Sequence, residues 1–137
     1  MRKRIAAVLA SLALSLGVVL GLASPAAAAT ENDYAVDVDW NDDNYKSCIS
    51  TTYVEGCLQP NGDVFWVKDN VANGHEVWIE WEDLNSGRYG YCIDNLGKAK
   101  GWTACNKNFT EGHQIRWKLV WQLDGGWNSS YARTTTV

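Results

Sequence analysis

The chain has 137 residues, a formal net charge of −4, four cysteines and eight tryptophans. That length allows one domain with a modest core, and the acidic balance argues against a nucleic-acid partner, which would need a concentrated basic stripe. Lys98, Lys100 and Lys107 are too sparse to form one.

The first 29 residues carry the pattern of an export signal. Arg2, Lys3 and Arg4 precede an apolar run from Ile5 to Leu22, Ser24-Pro25 breaks it, and Ala27-Ala28-Ala29 offers a cleavage site before Thr30. Cleavage removes three basic residues and no acid, leaving nine bases against sixteen acids. The mature chain is therefore expected outside the cell, with no membrane association once the signal helix is gone. In that oxidising setting Cys48, Cys57, Cys92 and Cys105 are expected to form two disulfides. Cys48–Cys57 and Cys92–Cys105 each close a short local loop, and the second pair would flank a hairpin turning at Gly97-Lys98-Ala99-Lys100. The spacings lack the paired C-x-x-C steps of a zinc site.

Residues 30–47 differ from the remainder of the mature chain. Glu31, Asp33, Asp37, Asp39, Asp42 and Asp43 occur without a base up to residue 44, which predicts a mobile acidic lead-in to a single β domain over 48–137. Asp37-Val38-Asp39 starts like a calcium loop, but Asp42 stands where such a loop needs glycine and Cys48 where it needs glutamate. No metal or other cofactor is expected.

Strand signals begin at Gly56. Residues 63–68 form one strand candidate, and Asn73-Gly74 suits a two-residue hairpin turn into 76–82. In that second run Val77, Ile79 and Trp81 share one face, while Glu76, Trp78, Glu80 and Glu82 share the other. Asn85-Ser86-Gly87 turns the chain into 88–93. The strongest pattern is 114–123, with Ile115, Trp117, Leu119, Trp121 and Leu123 on one side. Asp124-Gly125-Gly126 then leads to a returning strand over 127–135. No capped helical segment occurs after the signal, so the expected fold is all-β, a small antiparallel sandwich or barrel.

Several of these runs carry a resemblance. Gly56-Cys57, Gly62-Asp63 with Phe65-Trp66-Val67-Lys68-Asp69, Asn73-Gly74-His75, Tyr91-Cys92-Ile93-Asp94-Asn95 and Cys105-Asn106-Lys107-Asn108-Phe109 together resemble small secreted proteins of actinobacteria of the Streptomyces type. The resemblance spans residues 54–137. It implies secretion and supplies no catalytic or binding residue to carry over.

Chemistry-bearing residues are few. His75 and His113 each follow a turn and read as solvated side chains, and no G-x-S-x-G elbow accompanies them. Glu80 and Glu82 could stand about 6–7 Å apart on one strand face, a spacing open to glycoside hydrolysis. A solvated polar face explains them better, and no catalytic constellation is identified. The tryptophans say more, because one small core cannot house all eight. Trp81, Trp117 and Trp121 belong to apolar faces, and Trp66 is expected to join them. Trp78 lies among glutamates, Trp102 beside a hairpin tip and Trp127 after a glycine turn. These three are the candidate ligand-binding residues. They point to a non-catalytic extracellular binding module for a carbohydrate or cell-wall polymer. The competing expectation is an inhibitor or toxin-like effector of a protein target, using Gly87-Arg88-Tyr89 or Lys98-Ala99-Lys100.

Overall fold

The computed structural model describes residues 28–41 and 43–137; the expected export signal, apart from Ala28 and Ala29, and Asp42 lie outside the described residues. Eleven strands are present among them: β1 (Glu31–Tyr34), β2 (Val36–Asp37), β3 (Ser47–Ser50), β4 (Val54–Gln59), β5 (Val64–Asp69), β6 (Val77–Asp83), β7 (Tyr89–Asp94), β8 (Trp102–Asn106), β9 (Gln114–Leu123), β10 (Gly126–Ser129) and β11 (Arg133–Thr136). One sheet has the order β1-β7-β6-β9-β10, with β11 also paired to β9. The other has the order β2-β8-β5-β4-β3. The two pack as a β-sandwich, as the alternating apolar faces require.

Between the sheets lies a core built mainly from one face each of β4 to β9. Val54 and Leu58 of β4 and Phe65 and Val67 of β5 meet Val77, Ile79 and Trp81 of β6 and Ile115, Trp117 and Leu119 of β9. Trp81 and Trp117 are directly opposite in the β6–β9 register, and Phe65 from the other sheet lies 6.2 and 6.4 Å from them. Trp117 donates its indole N–H to Thr135 Oγ1. Gly56 permits the close approach of the layers, since a Cβ there would lie 2.4 Å from Leu119 Cδ2.

Both expected disulfides form, Cys48–Cys57 and Cys92–Cys105. The first joins directly opposed residues of the β3–β4 hairpin. The second does not flank a hairpin. Cys92 is on β7 in one sheet and Cys105 on β8 in the other, so the bridge spans the sandwich. Its intervening segment is a crossover containing a short 3-10 turn at Lys98–Lys100.

Other expectations need correcting for the same reason, which is that local turn chemistry does not reveal which sheet a strand joins. Asn73-Gly74 does not close a hairpin. β5 is flanked by β4 and β8, and β6 by β7 and β9, so residues 70–76 carry the chain from one layer to the other. Trp66 is buried but outside the central core. Phe65 and Val67 face inward, leaving Trp66 on the opposite face with Cys57 and Ala104, where it donates to Gln59 Oε1. The run 127–135 splits into β10 and β11, both on the same edge of β9.

The acidic lead-in also folds, in contrast to the mobile segment expected. β1 pairs in parallel with β7, the one parallel pair among the described strands, and β2 closes the second sheet beside β8. Acids without local bases find distant ones. Glu31 accepts from Arg88 Nε at 2.8 Å and from Lys107 Nζ at 3.2 Å, and Asp33 also pairs with the buried Lys107. Sequence composition counts charges only within a window, whereas these partners lie 57 to 76 residues away.

Three buried aspartates give stability opposing pH dependences. Burial would raise the Asp83 carboxyl, but hydrogen bonds from Ser86, His113 and the Asn85 and Ser86 backbones outweigh it and hold it at about 2. That stabilisation is complete above the ordinary carboxyl value near ~4 and is lost as pH falls toward about 2. Burial raises Asp69, and burial with the neighbouring Asp69 charge raises Asp94. Their ionisation therefore destabilises the fold, a cost that disappears as pH falls through their raised values toward ~4. Scanning calorimetry should show the melting temperature rising as pH falls from neutrality toward ~4, then dropping between ~4 and ~2. Asp94→Asn should flatten the first limb and leave the second. An unchanged first limb in that variant contradicts the assignment.

Candidate functional site

The outward face of the first sheet arises from the same alternation that builds the core. Trp78, Glu80 and Glu82 of β6 point away from Val77, Ile79, Trp81 and Asp83, which are buried. Register then sets three rows across the sheet. Ile93, Trp78, Val120 and Ser129 form the first, Tyr91, Glu80 and Lys118 the second, and Tyr89, Glu82, Arg116 and Thr134 the third.

Trp127 follows the Asp124-Gly125 turn and pairs with Gln122, one outward position beyond the first row. Its ring centroid lies 4.5 Å from that of Trp78, with the planes inclined at 53°. Tyr91 meets Trp78 edge-on at 6.3 Å. Trp78, whose place among glutamates predicts a substantially exposed ring, is half-buried with Trp127 packed against it; Trp127 remains 57% exposed. The two rings line a depression of about 430 Å³ with Glu80, Lys118, Asn128 and Ser129. A second depression of about 400 Å³ adjoins it, lined by Glu80, Glu82, Tyr89, Tyr91, Arg116 and Lys118. Glu80 and Lys118 belong to both, so the two form one groove along β6. The break between β10 and β11 at Ser130–Ala132 borders it, with Ala132 in its wall.

The groove floor holds two cross-strand ion pairs. Lys118 Nζ is 3.2 Å from Glu80 Oε1, and Arg116 Nη2 is 2.5 Å from Glu82 Oε2. The two glutamates with glycosidase-like spacing are thus each engaged by a cation.

Trp102 is not brought to this groove. It lies on the outer face of the opposite sheet, half-buried, and stacks on Trp40 with centroids 4.1 Å apart and planes at 23°. The structure therefore unites Trp78 and Trp127 and separates Trp102 from them. Tyr91, Arg116 and Lys118, which were not singled out from sequence, complete the groove with Tyr89, which the sequence offered only within a loop for a protein target. The signal for them was available in the outward alternation of residues 89–93 and 114–120, once the strand neighbours were known.

His113 enters a different arrangement. Its Nδ1 donates to Asp83 Oδ2 at 2.8 Å, and Ser86 Oγ donates to the same oxygen at 2.5 Å. A catalytic triad places the serine hydroxyl on the other imidazole nitrogen. Here hydroxyl and imidazole both converge on the carboxylate, which also accepts the Asn85 and Ser86 backbone N–H groups. This cluster fixes the β6–β7 turn against the start of β9. Among the described residues no three His, Cys, Asp or Glu side chains are placed to hold a metal ion.

The two loops considered for a protein target are tied down. Arg88 is engaged by Glu31 and by the Asn108 carbonyl, and Lys100 pairs with Asp37 at 3.1 Å. Comparison with protein-family models, with curated proteins and with solved structures finds no match to this chain.

Proposed function

We propose that the protein is a non-catalytic, secreted binding module that takes a polysaccharide chain in the groove along β6. The observation that carries this reading is the Trp78–Trp127 pair at the end of a groove lined by tyrosines and charged hydrogen-bonding groups. Indole faces cover the C–H surfaces of sugar rings, while carboxylate, ammonium and guanidinium groups take hydroxyls. The scaffold is suited to that task because the groove residues on β6, β7 and β9 stand on strands held on both sides. Two disulfides in a small domain are compatible with an extracellular setting. The inhibitor reading is weaker, since its basic loop residues are engaged within the chain.

Affinity electrophoresis through gels containing soluble polysaccharides tests this reading. Retardation of the native protein is expected. Trp127→Ala should lose roughly 2 kcal/mol of binding, about thirtyfold, with its melting temperature nearly unchanged because the ring is exposed. Trp102→Ala should bind as the native protein does. Equal retardation of native protein and Trp127→Ala would refute the site.

A further inference from the structure

Resting on the binding reading above, we infer that the ligand is a single soluble chain of uncharged sugars with equatorial linkages. Polyanionic glycans and crystalline polymer surfaces are disfavoured. Three observations converge on this class.

The first is charge. Both cations in the groove are already paired, Lys118 with Glu80 and Arg116 with Glu82. A uronate or sulfate would compete with a glutamate for each cation and bring its charge beside that carboxylate, a modest penalty at these solvent-exposed pairs. It would also approach a protein whose net charge is −4 before signal removal and more negative after it. An aminosugar polymer meets the converse obstacle, because both carboxylates are taken. An uncharged diol meets neither. Each ion pair sets an acceptor beside a donor, so one of two neighbouring hydroxyls can donate to the carboxylate while the other accepts from the cation.

The second is ring geometry. Docking on a flat crystal face needs coplanar aromatic rings, and Trp78 and Trp127 are inclined at 53°. Inclined rings suit a chain that turns between successive units. Stacking on an indole also needs a sugar face carrying hydrogens instead of axial oxygens, the glycosidic oxygen included, which selects rings substituted and linked equatorially.

The third is reach. Outward positions on a strand recur every ~6–7 Å, so Trp78, Glu80 and Glu82 span about 13–14 Å. That is room for a few sugar units, with tyrosines along one side.

The test compares soluble mixed-linkage β-glucan, hydroxyethyl cellulose and xylan with amylose, polygalacturonate, chitosan and crystalline cellulose. At least one of the first three should bind, with affinity changing less than about twofold between ~0.02 and ~0.5 M salt. Glu80→Gln with Glu82→Gln releases both cations and should create salt-sensitive binding to polygalacturonate that the native protein lacks. Binding of the native protein to polygalacturonate, chitosan or amylose alone overturns this inference and leaves the broader binding reading standing. So does binding to crystalline cellulose that soluble chains fail to displace. Absence of binding to every polymer overturns both. A Glu80→Gln, Glu82→Gln protein that gains no polyanion affinity contradicts the charge argument.

Discussion

Gly90→Ala is expected to detach the N-terminal strand and to lower stability by about 3–5 kcal/mol. A Cβ at Gly90 would lie 2.1 Å from the Glu31 carbonyl oxygen and 2.9 Å from its carbonyl carbon. Both are backbone atoms of β1, so no side-chain rotation relieves the contact, and β1 must lift from β7. Lifting it removes Glu31 and Asp33 from Lys107, whose side chain is only 4% exposed. A buried ammonium without its carboxylates is the larger part of the loss. Arg88 loses its fork on Glu31 in the same step. Chemical denaturation would measure the deficit, and amide exchange would locate it, with residues 31–34 losing protection first. A variant as stable as the native protein, with β1 still protected, would contradict the docking described for this strand.

Replacing Cys92 and Cys105 together by alanine should cost about 3–5 kcal/mol, and replacing Cys48 and Cys57 distinctly less. Loop length alone hardly separates them, since the sequence separations are 13 and 9. Location does. Cys92 and Cys105 are buried in the central core and tie the two sheets to each other, so their loss opens a cavity as well as freeing the unfolded chain. Cys48 is exposed, and its bridge joins strands that the β3–β4 ladder already pairs. Denaturant titration of the two double variants measures the order. Equal losses would show that the bridges act through the unfolded state alone.

The fold class was legible in the sequence because alternation along 77–83 and 114–123 is a property of single strands. Sheet membership was not, because it depends on partners far along the chain. Asn73-Gly74 has the chemistry of a tight turn and makes a crossover, since the flanking strands find better neighbours elsewhere. Trp66 illustrates the same limit. Period two places it opposite Phe65 and Val67, and only the assembled sandwich shows that the second face carries its own apolar cluster. The acidic segment misled for an electrostatic reason, as its compensating Arg88 and Lys107 are distant in sequence. At the site, Trp78 was marked by its glutamate neighbours and Trp127 by its turn. Their meeting required the β9–β10 ladder, which no local pattern specifies. The ion pairs that neutralise Glu80 and Glu82 required the β6–β9 register in the same way.

Nuclear magnetic resonance of the indole N–H groups during titration with a soluble β-linked oligosaccharide questions the groove most directly. Trp78 and Trp127 should shift together and saturate with one dissociation constant, while Trp81 and Trp117 in the core and Trp40 and Trp102 on the far sheet stay in place. Shifts confined to Trp40 and Trp102, or eight unmoved signals across a panel of soluble glycans, would place recognition elsewhere and remove the basis for a sugar-binding face on β6.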